Sequence, residues 1–360
     1  MQSFFVTIPR VLGSLPFFAL LCMVLGCTGS KPIAEKITTD DGKTLEAVQL
    51  ALNWFPEAEH GGFYAAQVHG YFEEEGLQVE ILPGGPNAPV LQRVANRELA
   101  FGLANADRIL LARGQQADLV ALMVPIQMSP RCIMLHKESG ITSFEQIRDL
   151  TLSMETGPAF AQFIQQNCDL ENVKIVPYSG SVAPFLSQKK YAQQAYVFSE
   201  PFIAKEEGAE TTNLMVSDLG FNPYASVLIT HSDMIAKRPD LVEKVTRASV
   251  RGWQHYLQAP EKTNALIEKL NPEMDQEILE YGVKSLKPLC MPEPVGLKEV
   301  GTMSKERWET LIAQLEQLEL LKPGVVETDH CFTTNFLEDI PSVDLGKADS
   351  EAPSKSPADQ

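Results

Sequence analysis

Between Val48 and Thr230 short apolar runs alternate with polar loops and with stretches whose apolar residues recur at helical spacing. Alternation of this kind predicts strand–loop–helix units around largely parallel sheets. Val48–Leu52 reads as a buried strand that empties into a polar elbow, Asn53 to Gly62. A helix is expected over Phe63–His69, closed by Gly70, and a second strand over Leu77–Leu82. Further strands are expected at Leu99–Leu103, Leu119–Val124, Arg131–His136, Thr151–Met154, Val173–Val176, Gln194–Phe198 and Tyr224–Thr230. Ser143 followed by Gln146 is a capping box for a short helix. Beyond Pro239 the periodicity becomes helical, over Asp240–Leu257, Glu261–Leu270, Asp275–Leu286 and Lys305–Leu320. The expected fold class is α/β, with two doubly wound lobes joined by a two-strand hinge at Arg131–His136 and Tyr224–Thr230. Lobe 1 takes residues 46–133 and 228–340, lobe 2 takes 134–227, and the polar stretch 341–360 is expected to be disordered.

The first residues change the cellular picture. Arg10 precedes an apolar run, Val11 to Leu25, placed as the core of a signal peptide over residues 1–26. Val24-Leu25-Gly26-Cys27 resembles a bacterial lipobox, although Leu25 is bulkier than the small residue usual there. On that reading cleavage leaves Cys27 acylated, residues 27–45 serve as anchor and spacer, and the protein sits on the periplasmic side of the cell envelope, lipid-anchored to the membrane. The alternative is an ordinary signal peptide with Cys27 incidental.

With 30 Lys and Arg against 47 Asp and Glu, the chain carries a net charge of −17 and no basic stripe, which argues against nucleic-acid binding. Cys132, Cys168, Cys290 and Cys331 show no CxxC spacing, so neither a metal nor a redox centre is indicated. Export permits disulfides, with Cys290–Cys331 the first pair to test, whereas Cys132, inside an apolar strand, reads as a buried thiol.

No GxSxG, HExxH, Walker A or GxGxxG motif is present. What remains is a set of polar and aromatic residues at strand exits, where α/β proteins place their ligands: Asn53 and Trp54, Asn105, Glu155 to Phe160, Tyr196, Glu200, and Phe221 to Tyr224. Trp54 is either a core plug or the stacking wall of a cleft. Tyr196 and Tyr224 either pack in the sheets or complete a sandwich around a flat guest. Glu200 is either a helix N-terminal acid or an acceptor for ligand N–H groups. His60 is either a solvated loop histidine or a ligand contact. One carboxylate without a paired acid or nucleophile suits binding better than turnover, and no cofactor is implied.

The run Leu52-Asn53-Trp54-Phe55-Pro56, His60-Gly61-Gly62-Phe63-Tyr64-Ala65-Ala66, Gly70-Tyr71-Phe72 and Glu75-Gly76-Leu77 resembles the thiamine-pyrimidine-precursor group of type II periplasmic binding proteins. These are substrate-binding lipoproteins of ABC importers, related to sulfonate and nitrate binders and to a fungal pyrimidine synthase. The likeness runs from about Val48 to about Leu270 and is specific only in the opening motif. It implies a non-enzymatic receptor that closes over a thiamine-precursor pyrimidine or similar small heteroaromatic and hands it to a permease and ATPase. Asn53 and Trp54 match the ligand-facing pair, Glu200 the acid after the second-lobe strand, and Gly157 a glycine turn. The synthase's Lys and His are not matched along Gly102–Arg108, where this chain has Ala104 and Arg108, and its cysteine-rich loop corresponds to Phe221–Ala225, which has no cysteine. The expected ligand-binding set is Asn53, Trp54, His60, Gly62, Tyr64, Asn105, Gly157, Phe160, Tyr196, Glu200 and Tyr224. The alternatives are a sulfonate- or nitrate-type anion binder, using Gly61-Gly62 at a helix start with Arg108 or Arg131, and a pyrimidine-synthase-like enzyme.

Overall fold

The computed structural model describes residues 34–38, 42–343 and 345. The expected signal peptide, the expected lipidation site Cys27, and residues 344 and 346–360 of the expected tail lie outside the described residues. Eleven strands are described: β1 (Ala34–Thr38), β2 (Thr44–Ala51), β3 (Leu77–Leu82), β4 (Phe101–Ala104), β5 (Val120–Met123), β6 (Arg131–His136), β7 (Thr151–Ser153), β8 (Lys174–Val176), β9 (Tyr191–Tyr196), β10 (Thr211–Met215) and β11 (Val227–Thr230).

They form two sheets of one plan. The first runs β3-β2-β4-β11-β5, with β1 antiparallel on the start of β2, and the second runs β8-β7-β9-β6-β10. Each places one antiparallel strand, β11 or β6, between the third and fourth parallel strands. Helices cover the sheets, making two doubly wound α/β lobes. Strand β6 shows why its sequence is apolar throughout. Cys132 and Met134 enter one core cluster while Ile133 and Leu135 enter another, so both faces are buried.

The chain crosses between the sheets after β5 and returns before β11. The two expected hinge strands do not pair with each other: β6 lies between β9 and β10, and β11 between β4 and β5. The crossing segments meet instead at an antiparallel bridge between Ile126 and Ala225. Two edge strands escaped the pattern. Residues 34–38, expected as spacer, pair with Thr44–Val48. Thr211–Met215 is half-buried and polar in sequence, as edge strands often are. The far edge at β5 is covered by returning chain, through Ala121 with Phe332 and Val124 with Gly301. Val343, at the start of the expected tail, donates its N–H to the side chain of Gln254 at 3.1 Å. Cys132, Cys168, Cys290 and Cys331 are all free thiols. Cys290 and Cys331, the first pair to test for a disulfide, belong to different core clusters and are not bonded. Among the described residues no helix is long and apolar enough to cross a membrane.

The helix after the elbow, Gly61–Val68, packs on the long helix Pro239–Tyr256 through glycines. A Cβ at Gly61 would lie 2.0 Å from the Tyr256 ring, and one at Gly62 would lie 2.0 Å from the Trp253 indole. A Cβ at Gly252 would lie 2.1 Å from the carbonyl oxygen of Gly62, which is backbone and has nowhere to go. Gly252→Ala is therefore expected to lower stability by about 1–3 kcal/mol or more. Gly157→Ala, where a Cβ meets nothing, is expected to stay within about 0.5 kcal/mol of the parent. Chemical denaturation of the two variants side by side checks both.

Candidate functional site

The elbow after β2 is held from three sides. Gly84 donates its N–H to the Trp54 carbonyl at 2.9 Å. Any side chain there would strike the Leu52 carbonyl, 2.2 Å from an ideal Cβ. Ala58 sits against Gly282 of helix Gln276–Cys290, and the turn Ala58–His60 runs into the glycine-packed helix. This leaves the Trp54 indole 41% exposed, edge-on to Phe55 with centroids 5.5 Å apart. It is not a core plug.

Opposite stand residues at the corresponding end of the second sheet. Glu155 follows β7, Tyr178 follows β8 and Tyr196 ends β9, while Arg131 starts the antiparallel β6 at the same end. Glu200 opens helix Glu200–Glu206. One of its carboxylate oxygens accepts the Tyr178 hydroxyl at 2.7 Å, and the other accepts the Tyr196 N–H at 2.8 Å. The Arg131 guanidinium lies 4.1 Å from the Tyr196 ring centroid and 4.6 Å from that of Phe160, a double cation–π contact.

Between these two sets lies a cavity of about 330 Å³, lined by Asn53, Trp54, Glu57 and Glu59 from the first lobe and by Arg131, Glu155, Tyr178, Tyr196 and Glu200 from the second. Larger grooves of about 750 and 530 Å³ open where parallel strands begin, near Asp118 and near Asp149 to Tyr191. Ligands of open α/β sheets sit at the opposite, carboxyl ends, so position and not volume singles out the interlobe cavity.

A buried polar chain backs it. His60 Nε2 lies 3.1 Å from Asn53 Oδ1 and 3.3 Å from Glu59 Oε1. The other Glu59 oxygen accepts the Ser226 hydroxyl at 3.2 Å. Ser226, at φ 51°, donates its N–H to Asn105 Oδ1. Asn105 Nδ2 then donates to the Tyr196 hydroxyl at 3.0 Å, joining one lobe to the other. A non-glycine residue in the left-handed region is uncommon and concentrates at functional sites.

Charge in the cavity is mostly negative. Burial, and then the charges of Glu59 and Glu200, push the Glu57 carboxyl well above the usual range. Burial pushes the Tyr196 phenol up to about 12, against the opposing pull of Arg131. For Arg131, burial acts downward but is outweighed by Tyr196, Glu200, Glu155 and Tyr178, and its pKa is raised.

Of the residues expected from sequence, Asn53, Trp54, Tyr196 and Glu200 meet at this cavity. Asn105 and His60 stand behind it as positioning residues, and His60 is fully buried, neither solvated nor lining. Phe160 backs Arg131. Gly62 is filled by Trp253, so it serves helix packing, and Tyr64 is buried in the core. Tyr224 is buried against Trp308 under Arg307, its hydroxyl accepting the Ser304 N–H at 3.1 Å. Gly157 is exposed and its carbonyl accepts Gln162 Nε2. Arg108, named for the anion alternative, lines the 750 Å³ groove instead. Glu57, Glu59, Tyr178 and Gln194 escaped selection. Tyr178 stands just beyond a strand exit and could have been found by that rule, whereas Gln194 lies within a strand and carries no such signal.

A protein-family model described as NMT1/THI5 like matches residues 57–263. The chain belongs to the NMT1/THI5-like family. The formylaminopyrimidine-binding protein of Halalkalibacterium halodurans is 26% identical over 305 residues, covering 81% of this chain and 91% of its own length. The riboflavin-binding protein RibY of Chloroflexus aurantiacus is 24% identical, with 82% and 87% covered. The 4-amino-5-hydroxymethyl-2-methylpyrimidine phosphate synthase of Legionella pneumophila is 20% identical, with 83% and 94% covered. The crystal structure of the periplasmic aliphatic sulphonate binding protein SsuA from Escherichia coli matches with a TM-score of 0.63 at 12% identity, over 83% of this chain and 94% of that one. That likeness shows the fold, that of a periplasmic binding protein.

The raised Glu57 carboxyl makes a prediction about this family member's stability. A carboxyl raised in the folded state costs nothing below its unfolded value of about 4.3. As pH rises beyond that value the unfolded chain ionises first and folding is penalised. Glu57→Gln removes the penalty. The variant is expected to be more stable than the parent at pH about 7.5, with the gain disappearing near pH about 4, as read from denaturation midpoints at the two values.

Proposed function

We propose that this protein is the extracytoplasmic substrate-binding component of an ABC importer, whose lobes close over a thiamine-precursor pyrimidine or a similarly small, flat heteroaromatic. The observation that carries this is the half-exposed Trp54 indole facing Tyr196, Arg131 and Glu200 across one interlobe cavity. An indole is a stacking surface, Glu200 and Glu57 are acceptors or donors for ring-edge groups, and two lobes joined by paired crossings suit hinge closure. The names of the Halalkalibacterium and Chloroflexus proteins support a heteroaromatic guest. The cavity holds several carboxyls where one is expected from sequence, so the preference for binding over turnover rests on those two relatives being named as binding proteins. The lipobox-like Cys27 supports tethering to the membrane beside a permease and its ATPase.

A second reading has a specific observation behind it. The Arg131 guanidinium lies in the cavity with no carboxylate within ion-pairing distance among the described residues, which suits an anionic group such as a sulfonate on the guest. Thermal-shift screening of aminopyrimidines against alkylsulfonates separates the two readings.

Stacking of a base on an aromatic side chain contributes about 1–3 kcal/mol. Trp54→Ala is therefore expected to weaken aminopyrimidine binding roughly 5- to 150-fold, measured by isothermal titration calorimetry. The unfolding temperature should hardly move, because the indole is not part of the core. Undiminished affinity in that variant would refute the stacking wall.

A further inference from the structure

The carboxyl groups of the cavity are not equivalent. Glu59 has both oxygens engaged, one near Asn53 Nδ2 and His60 Nε2 and the other accepting from Ser226. Glu200 accepts from Tyr178 on one oxygen and from the Tyr196 N–H on the other. Glu155 is open to solvent. Glu57 has little access to water and no partner: it is 5% exposed, lines the cavity, and makes no side-chain hydrogen bond among the described residues. A carboxylate stripped of both is costly, and here two further acids, Glu59 and Glu200, act on it. The form the cavity favours is the neutral acid.

A neutral carboxyl group differs from a carboxylate in what it can recognise. It presents one donor and one acceptor side by side, where the ion presents acceptors alone. We propose that Glu57 is a specificity-determining residue that meets the guest as a carboxylic acid, donating its O–H to a ring acceptor and accepting an adjacent N–H on the rim of a planar heteroaromatic. This deepens the binding reading above and rests on it. Two guests carry the required edge: an aminopyrimidine, through its ring nitrogen and amino group, and a flavin, through its ring N–H and carbonyl. A sulfonate, with acceptors only, does not match it.

The other groups around Glu57 do not supply the missing partner. Tyr256, at the end of helix Pro239–Tyr256, feels its charge, but burial pushes that phenol far up and it stays neutral. His60 engages Asn53 and Glu59 through Nε2, and its buried Nδ1 makes no hydrogen bond to Glu57 or to any other described residue. On helix Gln276–Cys290, which packs on the same turn, Tyr281 donates to the Val197 carbonyl and burial pushes the Cys290 thiol up. Arg131 is the cation of the second lobe's lining and stacks on Tyr196.

The test is calorimetric titration of the full chain with 4-amino-2-methylpyrimidine and, separately, riboflavin. For the probe that the parent binds, Glu57→Gln should keep affinity within about threefold, since an amide also presents an N–H beside a C=O. Glu57→Leu should lose roughly 10- to 100-fold. Raising the pH from about 5 to about 9 should weaken the parent relative to Glu57→Gln, as the acid ionises and its donor is lost. Parent-like affinity in Glu57→Leu, an equal loss in Glu57→Gln and Glu57→Leu, or a parent-to-Gln ratio that ignores pH each overturn the inference. Should Glu57→Leu not fold, the pH series decides alone. If Trp54→Ala loses binding while Glu57→Leu does not, this inference fails and the receptor reading stands. Failure of the parent to bind either probe sinks both.

Discussion

Two helices can lie as close as Gly61–Val68 and Pro239–Tyr256 only where Cβ atoms are missing from both. Gly61 and Gly62 leave room for the rings of Tyr256 and Trp253, and Gly252 leaves room for the Gly62 carbonyl. The contact is dense and apolar, and it sits immediately after the elbow that carries Asn53, Trp54, Glu57 and Glu59. The elbow therefore inherits its position from a rigid interface. Gly84 and Gly282 repeat the device at the other two sides of the elbow. A glycine pair that looks like an anion-binding helix start is, in the folded protein, a packing surface already filled.

From that seat a polar relay crosses the cleft. His60, Asn53, Glu59, Ser226, Asn105 and Tyr196 follow one another by hydrogen bonds or close polar contacts, and the last step joins the lobes. Each member limits the next. His60 holds the Asn53 amide, Asn105 holds the Tyr196 hydroxyl, and Tyr196 lies against Arg131. Buried polar groups arranged in this way rigidify a site as long as each finds a partner. The relay places the aromatic rings and the arginine and leaves their cavity-facing edges available.

Within this frame the concentration of acids is the least economical feature for folding alone. Glu59 and Glu200 are close enough for their charges to act on Glu57. Packing them around one small space opposes the ionisation of Glu57, and only one cation, Arg131, lines it with them among the described residues. Departures of this kind from local stability rules are expected where a protein keeps a site for a ligand. The overall charge of −17 says nothing about it, because most of the acids are ordinary surface groups.

Much of this was legible in the chain. Strands β3 and β6 fall where the apolar runs put them, and helix Glu261–Leu270 matches its periodicity residue for residue, because buried strands and amphipathic helices write their period into sequence. Edge strands β1 and β10 did not announce themselves, since a half-solvated strand tolerates polar residues. Strand β9 begins at Tyr191, three residues before the expected Gln194, because its buried Gln193 carries no apolar signal, and Gln194 accepts the Glu155 N–H from the neighbouring strand exit. Asn53, Trp54, Tyr196 and Glu200 line the interlobe cavity because they stand at strand exits, which a sequence pattern reveals. Glu57, Tyr178 and the partnership of Arg131 with Tyr196 were not expected from it, and Tyr224, on a similar exit, went to the core beside Trp308. Local sequence determined which segments form strands and helices and which loops leave the sheets, because those preferences are short-range. Only the tertiary structure decided which of the polar residues on those loops face one another, because that depends on packing between segments more than a hundred residues apart.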